Sequence, residues 1–569
     1  MPDAPAKPEY TLVATQTPGA SPFIDKSSFS DPYVGGNDED DDVGHAYAHD
    51  DAPPVKSRDT NPWSWLTPKL VFAILVFVLF LATAGAAGHP TSRGKVVDTY
   101  HRVFGQRLPA VERNPNVTLS EYLHARFDSS RDVIMWTMAT SSSNIDYVPQ
   151  ARNWDAKRRE LGMNDTVVVL CLDDECMENS ERGGLRAWGG YAHVEVPPPS
   201  NARAKRGAER GHHMAYIKFL AMLEMAQTGF PSLFFEGDTF LTDDPFKHML
   251  KLEDPSWDVQ FTEDVGYLLN FGWIYARPSE ATIKFYQAAF DQYVAHNQWD
   301  QELLSNMVVH LGGVDNHTES GEHWWIADQI GLRMYMLPLD VFRSTHPVML
   351  NWYTAPETEA VMNHLTAVTY SNRQFYPKEQ GWQANIDDFY TRMRPILTIP
   401  NLNGTLPEIM HEVRIMHALA SATGRAYMIP EKVSAYGTEN GQPWHYTRDY
   451  TRIVSVEAAV KHKLDLLETR FFEHAVRYLP ADVAAEWSAN RSQLSLADFS
   501  SLSDVFEHVK SLPKEAGVIE LVGWEELKVA AWSLDTVEGV EADYKTVSAC
   551  ENFHIDHMPF TWCTPLHVP

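Results

Sequence analysis

The sequence predicts an α/β fold: a mixed, mostly parallel sheet flanked by helices. Three observations lead there. Short apolar runs at Val133–Ala139, Thr166–Leu172 and Leu233–Phe235 read as buried strands. Stretches with near-helical apolar spacing separate them, one through Trp154 and Arg159 and one from about Met214 to Gln227, where Gly229 supplies a stop. Each run also ends on polar residues: Thr140 to Asn144, then Asp173-Asp174-Glu175, then Glu236-Gly237-Asp238. Strands that alternate with helices and carry polar carboxyl ends place a site along that edge of the sheet.

Upstream of the first strand the composition changes. Residues 1–69 are rich in Pro, Ser and Gly and carry the acidic runs Asp38 to Asp42 and Asp50-Asp51, which predicts a disordered tail. Leu70 to Gly88 is uncharged over 19 residues, long enough to cross a bilayer core at ~1.5 Å per residue. Trp63 and Trp65 sit just before it, where interfacial aromatics belong. A cleaved signal peptide would start close to the chain end rather than after so long a tail, so 70–88 reads as a transmembrane signal anchor. Basic residues flank it on both sides (Lys56, Arg58 and Lys69 before; Arg93, Lys95, Arg102 and Arg107 after) and do not orient it. The sequons at Asn116, Asn164, Asn316, Asn403 and Asn490 all follow the span, which favours a cytosolic tail and a lumenal body.

Residues 89–125 read as a stem, 126–400 as the main α/β domain, and 401–569 as a C-terminal accessory domain, α/β or helical. In the last of these, Ile415 to Pro430 reads as a helix leading into a strand. Arg203 to His213 is a basic, glycine-containing loop, able to fold over a phosphate or to stay solvated and mobile, and its Lys205-Arg206 resembles a dibasic processing site. The cysteines fall in two local pairs, Cys171/Cys176 and Cys550/Cys563, compatible with two disulfides or, for the first pair, with two buried thiols. A net charge of −29 argues against broad electrostatic binding to nucleic acid.

The stretch Leu233 to Phe246 (LFFEGDTFLTDDPF) is the most informative. Its strand stops at two carboxylates one residue apart, Glu236 and Asp238. Carboxylate oxygens are hard ligands suited to Mn²⁺ or Mg²⁺, and such an ion typically bridges a diphosphate. Asp244-Pro245 reads as a turn.

Further motifs follow in order: Leu269-Asn270-Phe-Gly272-Trp-Ile-Tyr275-Ala-Arg277-Pro278-Ser279, then Trp299-Asp300-Gln301 with Leu304 and Asn306. With Glu236-Gly-Asp238 and Asp244-Pro245, these make Val133 to about Lys378 resemble the nucleotide-diphospho-sugar transferase domain of glycosyltransferase family 77. The resemblance implies a GT-A-type (Rossmann-like) fold, a nucleotide-sugar donor, a divalent metal and retention of anomeric configuration. One position departs from the family pattern: Glu236 stands where an aspartate is usual, and its extra methylene shifts the charge.

By that resemblance Asp238 is a metal ligand, Glu236 reaches the ion, the ribose or a metal-bound water, and His364 supplies a further ligand. Lys378 meets the diphosphate, and Lys218 brings a cation towards the donor phosphates. Thr140 and Asp173, at strand ends, meet the nucleotide, Asp173 at the base or ribose. Asp300 and Gln301 contact the donor sugar or the reacting centre, by double displacement or front-face attack. Asn270 and Gly272 line the acceptor side, where a glycine lets a ligand approach the backbone. Trp273 and Tyr275 fit a sugar platform or, more commonly for strand aromatics, the core.

Other chemistries find no support. His411-Glu412 is not followed by a histidine at zincin spacing, and neither a phosphate-binding loop nor a nucleophile elbow occurs. The expectation is a single-pass type II Golgi membrane glycosyltransferase with a glycan or glycoprotein acceptor. Its rival is a non-catalytic, transferase-like protein of the secretory pathway that binds glycans or scaffolds other enzymes, a reading kept open by Glu236.

Overall fold

The structure is a computed structural model. It describes residues 110–547 except 142–145, 198–207, 264–268, 297–299, 318–322, 345–358, 367–369, 431–432, 440–441, 516, 524–532 and 538–539. The expected tail, the span at 70–88, most of the stem, Cys550 and Cys563 lie outside the described residues. Among the described residues no helix is long and apolar enough to cross a membrane.

The larger sheet has ten strands. They are β1 (Val111–Glu112), β2 (Ile134–Ala139), β3 (Thr166–Cys171), β4 (Arg186–Trp188), β5 (Ser232–Phe235), β7 (Val259–Glu263), β8 (Leu269–Ala276), β9 (Gly313–His317), β10 (His323–Ala327) and β11 (Leu332–Leu337). Their spatial order is β1-β4-β3-β2-β5-β8-β7-β11-β10-β9. From β1 to β5 every pairing is parallel, and β8 then runs antiparallel to both β5 and β7. The sheet is therefore mixed, with its parallel half towards the amino terminus, as the alternation of apolar runs and helices predicts.

Helices cover both faces, which is why β2 and β5 are buried along their whole length and read as unbroken apolar runs. On one face pack α4 (Ala208–Gln227), α5 (Glu280–His296) and α6 (Asp300–His310), sharing a core with Trp136, Phe234 and Ile274. On the other lie α2 (Val148–Glu160) and α3 (Asp174–Arg182); α1 (Leu119–His124) joins the first face through Tyr122 and Leu123. Side chains alternate as a strand requires: Phe234 meets Trp136 at 4.6 Å between ring centroids, while Phe235 stacks on Trp154 of α2 at 3.8 Å.

Two findings revise the sequence reading of this part. α4 begins at Ala208, so the carboxyl end of the expected basic loop is helical rather than a mobile flap. The cause is a tertiary contact: His212 stacks on Tyr293 of α5 and its Nδ1 lies 2.9 Å from the Tyr293 hydroxyl. Cys171 and Cys176 are joined in a disulfide, linking the end of β3 to the first turn of α3, which decides between the bridge and the two thiols.

A three-stranded sheet carries the site. β6 (Thr239–Leu241) pairs antiparallel with β13 (Met362–His364), and β13 pairs parallel with β12 (Phe342–Ser344). Helix α7 (Tyr370–Glu379) follows β13.

Beyond it, β14 (Ile396–Thr398), β16 (Ala426–Met428), β19 (Leu466–Leu467), β20 (Arg491–Ser495) and β21 (Val518–Val522) form a second sheet, ordered β19-β16-β14-β21-β20 and parallel throughout. Helix α8 (Leu406–Thr423) crosses from β14 to β16; Gly424 ends it in the left-handed conformation, at φ 63°. β15 (Leu402–Thr405), β17 (Val433–Glu439) and β18 (Gln442–Arg448) make a separate small sheet beside it.

Candidate functional site

Three side chains converge at the carboxyl end of β5. Glu236 and Asp238 leave the strand on either side of Gly237, and the β6–β13 ladder sets His364 opposite Thr239, one residue past Asp238. Leu365 N–H donates to the Asp238 carbonyl at 2.9 Å and Glu236 N–H donates to the Gly272 carbonyl at 2.8 Å, so backbone bonds fix both acids. His364 Nε2 lies 3.2 Å from Asp238 Oδ1 and 3.3 Å from Glu236 Oε2. One ligand atom from each of the three falls within 4.8 Å of the others.

Gly272 makes the room. A Cβ there would stand 2.2 Å from His364 Cε1 and 2.6 Å from Glu236 Oε2. The glycine expected to admit a ligand on β8 thus admits the imidazole and the carboxylate. Asn270 turns back on the same strand, its Oδ1 accepting from Gly272 N–H at 2.8 Å. Trp273 and Tyr275 are buried in the core.

The charges extend into a chain. Lys218 of α4 donates to Glu236 Oε1 at 2.6 Å and to Asp300 Oδ2 at 3.3 Å. At the far end, Arg373 of α7 sets its Nη1 2.9 Å from Asp238 Oδ2. Three carboxylates, Glu236, Asp238 and Asp300, therefore face Lys218, Arg373 and His364. Buried ion pairs contribute little net stability because desolvation offsets their attraction, so a cluster of this size is better explained by chemistry than by folding.

Each group answers to its neighbours. Burial works to raise the Asp238 carboxyl, but Arg373 and then His364 hold it far below the usual range. Burial works the same way on Glu236, and Lys218 and His364 together outweigh it, holding that carboxyl below its usual range. Burial depresses the His364 imidazolium, yet Asp238 and then Glu236 overcome this and raise it to about 9. Because the folded-state value lies above the ordinary 6.5, His364 stabilises the metal-free fold fully below that pH and loses the contribution as pH rises through 9. The melting temperature of metal-free protein should fall between those two pH values more steeply in the wild type than in His364→Gln. Equal slopes would remove His364 as the cause.

The remaining expected residues occupy the same edge in different ways. Asp300 opens α6, with Gln301 beside it. Gln301 Oε1 accepts from Phe271 N–H at 3.4 Å, and Ser305 Oγ accepts from Leu269 N–H at 3.0 Å, which braces α6 against β8. Thr140 and Asp173 stand side by side at the ends of β2 and β3, because the parallel register pairs Ala139 with Cys171. The Thr140 hydroxyl donates to Asp173, Ser141 N–H donates to it at 3.0 Å, and Cys176 N–H donates to it at 2.7 Å, so Asp173 is also the cap of α3. Asp244 caps the turn Pro245–Lys247.

Lys378 is not drawn into the acidic cluster. It lies over the Phe389 ring, Nζ 4.1 Å from the centroid, and lines a cavity of about 270 Å³ with Arg373 and Arg392. Arg373 escaped the sequence reading. No motif marks it; α7 brings it to Asp238 through tertiary packing. Asn116, Asn164, Asn403 and Asn490 are exposed, as acceptors of a glycan must be, and the Asn316 side chain lies outside the described residues.

Solved structures that resemble this one include a glycosyltransferase involved in glycosylation of the major capsid of PBCV-1, mouse xyloside xylosyltransferase 1, and the galactosyltransferase LgtC with donor and acceptor sugar analogues. The first is 9% identical and covers 43% of this chain and 98% of its own, at a TM-score of 0.27. The second is 11% identical (42% and 98% covered, TM-score 0.27) and the third 14% identical (41% and 87% covered, TM-score 0.26). Likenesses this weak carry no argument. No curated protein matches the chain. The nucleotide-diphospho-sugar transferase family matches residues 163–372, a segment that includes Asp173, Lys218, Glu236, Asp238, Asp300 and His364 and stops just short of Arg373. From residue 163 to 372 the chain is a nucleotide-diphospho-sugar transferase domain, and the protein is a glycosyltransferase.

Proposed function

We propose that this glycosyltransferase is metal-dependent and retaining, with a GT-A-type catalytic domain. It moves a sugar from a nucleotide-diphosphate donor to a hydroxyl of a glycan or glycoprotein. The convergence of Glu236, Asp238 and His364 on one point carries this reading. Two carboxylates and an imidazole suit Mn²⁺ better than Mg²⁺, which prefers oxygen donors, and Gly272 leaves the cradle open where a Cβ would fill it. An ion held by these three residues would neutralise charge building on the leaving diphosphate.

The chain's own groups do the rest. Lys218 fixes Glu236 and Asp300 relative to one another, so the acid pair and the start of α6 keep one geometry. Asp300 is one-fifth exposed and stands at the cleft edge, placed to meet the donor sugar or steady positive charge at its anomeric carbon. Thr140 and Asp173 line the nucleotide side of the same edge. The body stands in the Golgi lumen behind a type II anchor at 70–88, a placement supported by the apolar span and the exposed sequon asparagines.

The direct test is hydrolysis and binding of a panel of nucleotide sugars by the full chain, with Mn²⁺ and with chelator. Mn²⁺-dependent turnover of one donor is expected; folded protein that binds no nucleotide sugar under either condition would end this reading. Treating the same preparation from a eukaryotic host with a peptide N-glycosidase reads the topology, since an unchanged mass would contradict a lumenal body.

A further inference from the structure

Arg373 is the one cation of the cluster to which the proposed transfer assigns no task. Its guanidinium holds Asp238 Oδ2 at 2.9 Å while His364 takes Oδ1, so Asp238 is shared between two cations. The two partners differ in access. The Asp238 side chain is 6% exposed and that of Arg373 25%, so the arginine reaches the buried carboxylate from an open side.

That open side is the cavity between α2, α7 and residues 383–392, which Lys378 and Arg392 also line. Asp387 lines it too, but Arg152 grips both of its oxygens at 2.6 and 2.8 Å, so its charge is already answered. Arg392 is likewise answered, by Asp465 at 3.1 Å, so Lys378 and Arg373 are the cations that fit this cavity, next to the acid pair, for an anion.

A guanidinium and a divalent cation placed on one carboxylate compete, and the arginine has somewhere to go. We propose that Arg373 exchanges partners: it neutralises Asp238 while no ion is bound, and turns into the cavity to grip the donor's diphosphate once a divalent cation takes Asp238. The inference rests on the reading of Glu236, Asp238 and His364 as the metal site. Its chemical logic is that the displaced fork of N–H donors matches phosphate oxygens, so the entering ion prepares the anion site as it binds. Arg373 is then a substrate-contacting residue as well as a placeholder.

The test separates two affinities in the full chain, with Arg373→Gln and Arg373→Lys compared to the wild type. Free Mn²⁺ is measured by electron paramagnetic resonance without any anion, and inorganic pyrophosphate is titrated calorimetrically at saturating Mn²⁺. Removing the competitor should tighten Mn²⁺ binding several-fold in Arg373→Gln, while pyrophosphate binds about tenfold more weakly, the order expected for a lost charge-assisted pair. Arg373→Lys, which keeps the charge without the fork, should fall between on both measures and serves if the glutamine variant fails to fold. Weakening of both ligands together would show that Arg373 only props Asp238, and unchanged constants would show that it does neither; either result overturns the exchange while leaving the metal site standing. Wild-type protein that takes up no Mn²⁺ would overturn the metal reading and this inference with it.

Discussion

Asp238→Asn is expected to lower transfer on the order of a thousandfold, the scale of several kcal/mol of lost charge stabilisation, with the fold retained. Asparagine keeps the shape of the side chain and the backbone bond from Leu365 N–H to residue 238, so the loss should appear in chemistry before it appears in folding. It removes the charge that both Arg373 and His364 face, and a neutral amide is a poor ligand for a hard cation. The measurement is turnover together with Mn²⁺ binding and circular dichroism on one preparation. Wild-type turnover in that variant would take Asp238 out of the site.

Gly272→Ala should be nearly as damaging, through sterics alone. The new Cβ would press on the His364 ring at 2.2 Å and on Glu236 Oε2 at 2.6 Å, distances at which something must move. His364 is buried and held by the β6–β13 ladder, so the ring has little freedom to yield. Mn²⁺ affinity should drop about a hundredfold, at the upper end of what disturbed ligand geometry costs. Gly237→Ala is the control: the atoms nearest its Cβ belong to Tyr147, the first at 3.0 Å, and a modest effect is expected. If the two variants bind Mn²⁺ alike, Gly272 is not the cradle of the site.

Much of this arrangement can be read from the chain because local pattern and tertiary role agree. β2, β3 and β5 are apolar runs since both faces of the parallel half are covered, and the acids that end β5 have nowhere to point but the cleft. Lys218 reaches them from α4, where helical spacing already placed it. What stayed hidden depends on contacts that leave no periodic mark. β6 and β13 are three residues each and pair across more than a hundred positions, so neither has a pattern long enough to announce itself. Arg373 meets Asp238 only once α7 is docked. In the second sheet β19 has two residues and β20 is the exposed edge run RSQLS, so neither alternates as a half-buried strand would. The helical start at Ala208 also needed Tyr293, far along the chain, to pin His212.

The β6–β13 pairing carries a consequence for how the protein is made. Asp238 leaves the ribosome 126 residues ahead of His364. At roughly 5–20 residues per second, this interval lasts roughly 6–25 seconds. Throughout it the nascent chain offers an acid pair without its third partner, too few ligands to compete for a scarce transition ion. If the proposed site holds a divalent ion, the order of synthesis itself would postpone its capture until the sheet that completes the cradle can close.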